Sequence, residues 1–149
     1  MNKYYSIFIF LLTLSLSPAV FAQKRDSLRL ICPLNDAVEA SPEKTAVNLG
    51  APELKIVLSS PTDTLVKACT DAVISVVQRD EEGKMEIVFS HGKYWFWVSG
   101  LSKAIVRKDQ KLKAGEVMGY VQPGQKIELL LYDFETPVDP KKYLKCGKQ

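Results

Sequence analysis

From Leu54 onward the chain alternates apolar and polar residues with a period of two and is rich in β-branched side chains, and no segment carries a helical stripe. Successive strand residues point to opposite faces, so this periodicity commits the chain to sheets with one face on a core. Runs that read as strands cover 55–58, 64–68, 72–78, 85–90, 94–98, 117–121 and 126–132. Asp80-Glu81-Glu82-Gly83, His91-Gly92-Lys93 and Gln122-Pro123-Gly124 separate them with residues that tolerate tight or left-handed backbone, and each is expected to close a hairpin. Regular short strands joined this way predict an all-β antiparallel sandwich or barrel.

The beginning of the chain has another character. Met1-Asn2-Lys3 precedes the apolar stretch 7–12, and small residues follow at Ala19 and Ala22. This reads as a secretory signal peptide, residues 1–22, cleaved after Ala22. A spanning helix needs roughly 20 mostly apolar residues, and Thr13, Ser15, Ser17 and Pro18 interrupt this one. Gln23, not a lipidated cysteine, follows the cut, so the mature form is expected to be exported to the periplasm or beyond, with no membrane span. Residues 23–50 read as an N-terminal arm and 51–149 as one domain, long enough to bury its own core. Within the arm, Ser41-Pro42-Glu43-Lys44 has the chemistry of a helix start, but nothing periodic follows to extend it.

The formal charge of +3 is spread over interleaved acids and bases, which does not favour nucleic acid. Lys141, Lys142, Lys145 and Lys148 read as a solvated chain end. Cys32, Cys69 and Cys146 all fall in the mature part, where an oxidising compartment permits disulfides, and an odd count leaves one free. A Cys32–Cys146 bridge would clip the ends of the domain together, although spacing alone leaves the pairing open. With no C-x-x-C pair and a single histidine, a zinc site built from the cysteines is not expected.

Several motifs in order resemble one family. Pro61-Thr62-Asp63-Thr64-Leu65-Val66-Lys67-Ala68 is similar to a P-x-G-T-x-V-x-A strand opening, Ser90-His91-Gly92 to a strand-ending H-G turn, and Gly100-Leu101-Ser102 to H-L-S. Residues 106–120 are similar to a V-x-x-G-Q-x-V-x-x-G-Q-x-I-G-x ribbon, and Val138-Asp139-Pro140 with Tyr143-Leu144 matches V-D-P-x-x-Y-L. Together these resemble the lysostaphin-type, LytM-like peptidoglycan metallopeptidases, which implies an antiparallel β-sandwich of the LytM-like, duplicated-hybrid type with a groove floored by one sheet. Gly115 and Gly119 bracket a short strand in the ribbon and are expected to turn the chain at both ends. The ribbon also resembles biotinyl and lipoyl carrier hybrids, but no M-K-M-like hairpin is present, and Lys84 after Gly83 lacks the flanks.

The resemblance implies zinc held by H-x-x-x-D and H-x-H motifs, because the metal wants imidazole and carboxylate donors with one position open for water. Carried across residue by residue, the H-x-x-x-D positions hold Glu53 and Val57, and the H-x-H positions hold Glu128-Leu129-Leu130. The ligand positions are thus Glu53, Val57 and Glu128, and the positions acting on the chemistry are Gly100 and Leu130. Val57 and Leu130 have no donor atom and Gly100 has no side chain. The expectation is a non-catalytic module with no metal and no cofactor, binding peptidoglycan or an envelope protein such as a cell-wall amidase. An active zinc endopeptidase would need unusual ligands, drawn from Glu53, Glu128, His91 or a cysteine, and a purely structural β-domain is the third alternative. Glu53 and Glu128, if they faced one another, would offer an acidic pocket to a cation or an amine.

One run belongs to no motif. In Tyr94-Trp95-Phe96-Trp97, alternation sends Tyr94 and Phe96 to one face and Trp95 and Trp97 to the other. One pair fills the core; the other, with His91, is the candidate for groove binding, where flat rings suit sugar faces or a protein partner. Tyr120 and Tyr132 are candidates to extend that stripe.

Overall fold

A computed structural model describes residues 28–41 and 54–147. The signal-peptide reading, Glu53, the helix start after Ser41 and Lys148 therefore lie outside the described residues. The strands are β1 (Val38–Glu39), β2 (Lys55–Ser59), β3 (Leu65–Lys67), β4 (Ala72–Arg79), β5 (Met85–His91), β6 (Tyr94–Leu101), β7 (Lys103–Ala104), β8 (Lys111–Leu112), β9 (Val117–Tyr120), β10 (Lys126–Asp133) and β11 (Thr136–Val138). The larger sheet has the order β1-β2-β10-β6-β5-β4-β8, with β11 also on β10, and the smaller has the order β3-β9-β7. The ladders within both sheets are antiparallel.

Alternation is what assembles these sheets into a sandwich. In β10 the residues Ile127, Leu129 and Leu131 are fully buried while Glu128, Leu130 and Tyr132 keep some exposure on the other face. Phe89 stacks on Phe96 at 4.8 Å in the core, and Val66 and Met118 of the small sheet are buried in the same hydrophobic cluster. Two turns close hairpins as expected, Asp80 to Gly83 between β4 and β5 and His91 to Lys93 between β5 and β6. Gln122-Pro123-Gly124 does not, because the strands it joins, β9 and β10, belong to different sheets. It meets another inter-sheet corner instead, where Gly124 N donates to the buried Ser60 carbonyl at 2.6 Å.

Glycine acts differently at the two ends of β9. Gly115 has φ +89 and turns the chain, as the ribbon predicted. Gly119 sits inside the strand with ordinary φ, and what demands glycine there is contact: a Cβ would run into the Lys103 carbonyl and the Leu101 side chain.

The described part of the N-terminal arm is built into the fold. Leu30 and Leu34 are buried, β1 pairs with β2, and Leu30 bridges Leu144 near the other end of the chain. Cys32 and Cys146 form a disulfide across a Cα separation of 5.2 Å, and Cys69 is free and buried. Asp139 caps a short 3-10 turn, Pro140–Lys142, by accepting from the Lys141 N–H. Among the described residues no helix is long and apolar enough to cross a membrane.

Candidate functional site

The face of the large sheet turned away from the core is where the motif positions meet. Directly paired residues on neighbouring strands share a face. Val57 pairs with Glu128, and Glu128 with Ser99, across β2, β10 and β6. One step along, Lys55 pairs with Leu130, Leu130 with Trp97, Trp97 with Val88 and Val88 with Val76. The next row runs Tyr132, Trp95, Ser90, Val73. Val57, Glu128 and Leu130 thus converge on adjacent strands, with Gly100 one residue beyond Ser99.

An ion pair stands at that convergence. Lys55 Nζ donates to Glu128 Oε2 at 2.9 Å, with the two side chains 22% and 37% exposed. The acidic position that invites a cation or an amine has therefore been given an amine from the same sheet. At this exposure the pair stabilises by less than about 1 kcal/mol, so its interest is chemical rather than energetic.

Gly100 is glycine for a backbone reason. Its φ is +87, and a Cβ would lie 2.7 Å from the Lys126 carbonyl oxygen. Real Cβ atoms do not approach that closely, and an L-residue strains at this φ. The Gln125 side chain locks the same spot: its Nε2 donates to the Gly100 carbonyl, while its Oε1 accepts from Ser102 Oγ at 2.7 Å and from Gln122 N at 2.9 Å.

The aromatic run divides as alternation required. Tyr94 and Phe96 are buried in the core, which removes them from the candidates for groove binding. Trp95 and Trp97 stand on the open face. Trp95 stacks on Tyr132 with ring centroids 3.9 Å apart and planes 3° from parallel, and its Nε1 donates to the Phe134 carbonyl. Trp97 Nε1 is buried and finds no acceptor among the described residues. Tyr120 belongs to the small sheet and takes no part.

His91 pairs with Tyr94 at the far end of β6, five residues along from the Ser99 that pairs with Glu128. At about 3.3 Å per residue the separation is about 16 Å, so these two do not share a metal. Its Nδ1 lies 2.9 Å from the Asp71 carbonyl, which accepts, so the ring ties the hairpin to the loop before β4. The cysteines are equally remote from such a role, two in a disulfide and one in the core, where burial pushes the Cys69 thiol up to about 12.

Phe134 was not legible as a site residue. It lies between β10 and β11 at φ +52 and 67% exposed, a conformation and an exposure that a bulky apolar residue rarely combines. Lys93 Nζ sits 6.0 Å from its ring centre and 4.9 Å from that of Tyr94, and pairs with Asp133 at 2.6 Å.

Solved structures share this architecture. The catalytic domain of the antimicrobial peptidase lysostaphin from Staphylococcus simulans superposes with a TM-score of 0.54 at 19% identity, over 71% of this chain and 88% of that one. The fold is LytM-like. Csd3 from Helicobacter pylori gives a TM-score of 0.65 at 15% identity, covering 83% of this chain, which spans only 36% of Csd3. The SpoIIQ–SpoIIIAH pore-forming complex gives 0.61 at 12% identity, over 80% of this chain and 92% of that one. No family model matches the chain, and no curated protein sequence matches it significantly. At these identities the likeness establishes the LytM-like fold and not the chemistry.

The described side chains of this LytM-like sheet do not fit the zinc that the fold suggests. Val57 and Leu130 present only carbon, and the one carboxylate between them is already neutralised by the Lys55 ammonium. A dication there would have to displace the Lys55 ammonium and would find a single carboxylate among these three positions.

Proposed function

We propose that the protein is an exported, non-catalytic LytM-like module that binds peptidoglycan through the open face of its large sheet. The observation that carries this reading is the ion pair at the motif positions, where Lys55 holds Glu128 between the aliphatic Val57 and Leu130. A hydrolytic site would need several donors there converging on one open coordination position. Gly100 supports the reading independently, because its backbone leaves no room for the side chain expected of H-L-S. Export is supported by the signal-like residues 1–22 and by the Cys32–Cys146 disulfide, a bond typical of proteins in oxidising compartments.

The test uses the mature protein. Elemental analysis is expected to find less than a tenth of an equivalent of zinc, and a peptidoglycan suspension is expected to keep its turbidity on incubation with the protein. Co-sedimentation with purified sacculi is expected to retain it. Stoichiometric zinc together with clearing of the suspension would replace this reading by that of a peptidase with unusual ligands. Failure to sediment, with specific capture of an envelope protein instead, would shift the ligand from glycan to protein.

A further inference from the structure

A cavity of about 260 Å³ opens beside the turn between β5 and β6, at the other end of β6 from the residue that pairs with Glu128. Its lining includes Arg29, Thr70, His91, Gly92, Lys93 and Tyr94, and none of the lining residues is acidic. The N-terminal arm supplies Arg29, the loop before β4 supplies Thr70, and the β5–β6 hairpin supplies the other four.

The polar groups on this wall are fixed by what they already bind. His91 Nδ1 faces the Asp71 carbonyl at 2.9 Å. A carbonyl only accepts, so Nδ1 carries the hydrogen and Nε2 of the neutral ring is left as an acceptor. Lys93 Nζ pairs with Asp133 at 2.6 Å and lies 4.9 Å from the centre of the Tyr94 ring, which holds an ammonium with further N–H groups at the rim. Arg29 is exposed and forms no ion pair with a described residue, so the charge left uncompensated at the cavity is its guanidinium. Thr70 points the same way independently. It is only 6% exposed, yet its hydroxyl has no hydrogen-bond partner among the described residues, and the open space it lines is this cavity. A buried hydroxyl left without a partner is destabilising, so a bound group that accepts from it is favoured.

A ligand completing this set carries negative charge for Arg29, has oxygens for Lys93 and Thr70, and donates one hydrogen bond to His91 Nε2. Carboxylate and sulfate only accept, and either would set an oxygen lone pair against the Nε2 lone pair. We propose that this cavity binds inorganic phosphate, whose P–O–H donates to His91 while its other oxygens accept from Arg29, Lys93 and Thr70. The site shares no residue with Val57, Glu128, Leu130 or Gly100, so it stands or falls separately from the peptidoglycan reading.

The test titrates the mature protein at pH 7.5 with inorganic phosphate, sulfate and methyl phosphate, read by calorimetry and by the amide shifts of Thr70 and Gly92. A phosphate monoester loses its last proton near pH 6, about, so all three ions carry about the same charge at this pH and only inorganic phosphate keeps a P–O–H. The wild type is expected to bind phosphate about tenfold or more tightly than the other two, because a site built around a donor rejects analogues that lack it. Arg29→Gln is expected to weaken phosphate binding about tenfold. Thr70→Val, close in shape, is expected to weaken it without lowering the thermal midpoint, which a purely structural hydroxyl would do. His91→Asn, whose amide can still donate to the Asp71 carbonyl but has no atom in place of Nε2, is expected to bind phosphate and sulfate alike. No phosphate binding by the wild type, sulfate or methyl phosphate bound as tightly as phosphate, or wild-type phosphate affinity in Arg29→Gln or Thr70→Val overturns the proposal. So does a preference for phosphate that survives in His91→Asn.

Discussion

Gly100→His is the substitution that would restore the H-L-S motif, and the backbone predicts that it damages the fold instead. Two costs add. An L-residue at a left-handed φ is disfavoured by about 1–2 kcal/mol. The Cβ would also sit 2.7 Å from the Lys126 carbonyl oxygen and 3.4 Å from the Ile127 Cα, both backbone atoms of the central strand β10. Overpacking against atoms that cannot rotate away costs typically about 1–3 kcal/mol. The expected total is about 3 kcal/mol, and at about 4 °C per kcal/mol for a domain of this size the midpoint falls by about 12 °C. Gly124→Ala separates the two terms, since Gly124 has φ +76 with nothing within 4 Å of its Cβ position. Thermal and urea unfolding, followed by far-ultraviolet circular dichroism, would be compared for Gly100→Ala, Gly100→His and Gly124→Ala. Equal losses for the two alanine variants would show that the close approach to β10 costs nothing, and a Gly100→His midpoint within 3 °C of wild type would refute the argument altogether.

Other consequences follow from the same coordinates. Replacing Cys32 and Cys146 together by serine frees a loop of 114 residues, and the chain-entropy model puts the loss at about 5 kcal/mol, measurable as a shift in the urea midpoint. The Cys69 thiol, buried and raised to about 12, is expected to react with iodoacetamide at pH 8 only as fast as the domain opens, so adding denaturant below the unfolding transition should accelerate labelling. Two carboxyls predict the acid limb of stability. Burial pushes the Asp63 carboxyl up, but the backbone N–H groups of Asn35 and Leu65 and the Lys67 charge outweigh it and hold it below 3.8. The Ala114 N–H and then Lys113 hold Asp71 below the same value. A depressed carboxyl stabilises the fold above its ordinary pKa, and the contribution is lost as pH falls through the lowered one. Asp63→Asn and Asp71→Asn should therefore be less stable than wild type at pH 6 and converge with it as the pH drops below 3.8. Convergence that begins above pH 5 would contradict those causes.

β2, β3, β4, β5, β6, β9 and β10 were legible because each lies in a run of at least four residues with strand chemistry, between turn residues. The other four were not. β1, β7, β8 and β11 hold two or three residues apiece, and they are strands only because a neighbour offers unpaired backbone groups. The turn before β10 was misread for a related reason. Gln122-Pro123-Gly124 has the chemistry of a tight turn, but whether a turn closes a hairpin or steps between sheets depends on which ladder each strand joins. Phe134 gave no sign of itself, since only the placement of β11 against β10 puts that residue at a left-handed φ beside Trp95.

What the amino-acid order alone determined is the chemistry available: aliphatic side chains at Val57 and Leu130, no side chain at Gly100, and two tryptophans on the opposite face from Tyr94 and Phe96. These are properties of single residues and of a two-residue period, which no partner can change. Tertiary structure decided the rest. Pairing of β2 with β10 brought Lys55 onto Glu128, residues 73 positions apart, and the order β10-β6-β5-β4-β8 placed Tyr132, Trp95, Ser90 and Lys111 in one row. Register between distant strands is set by how the whole core packs, and the identity of a residue carries no information about which neighbour the core will give it.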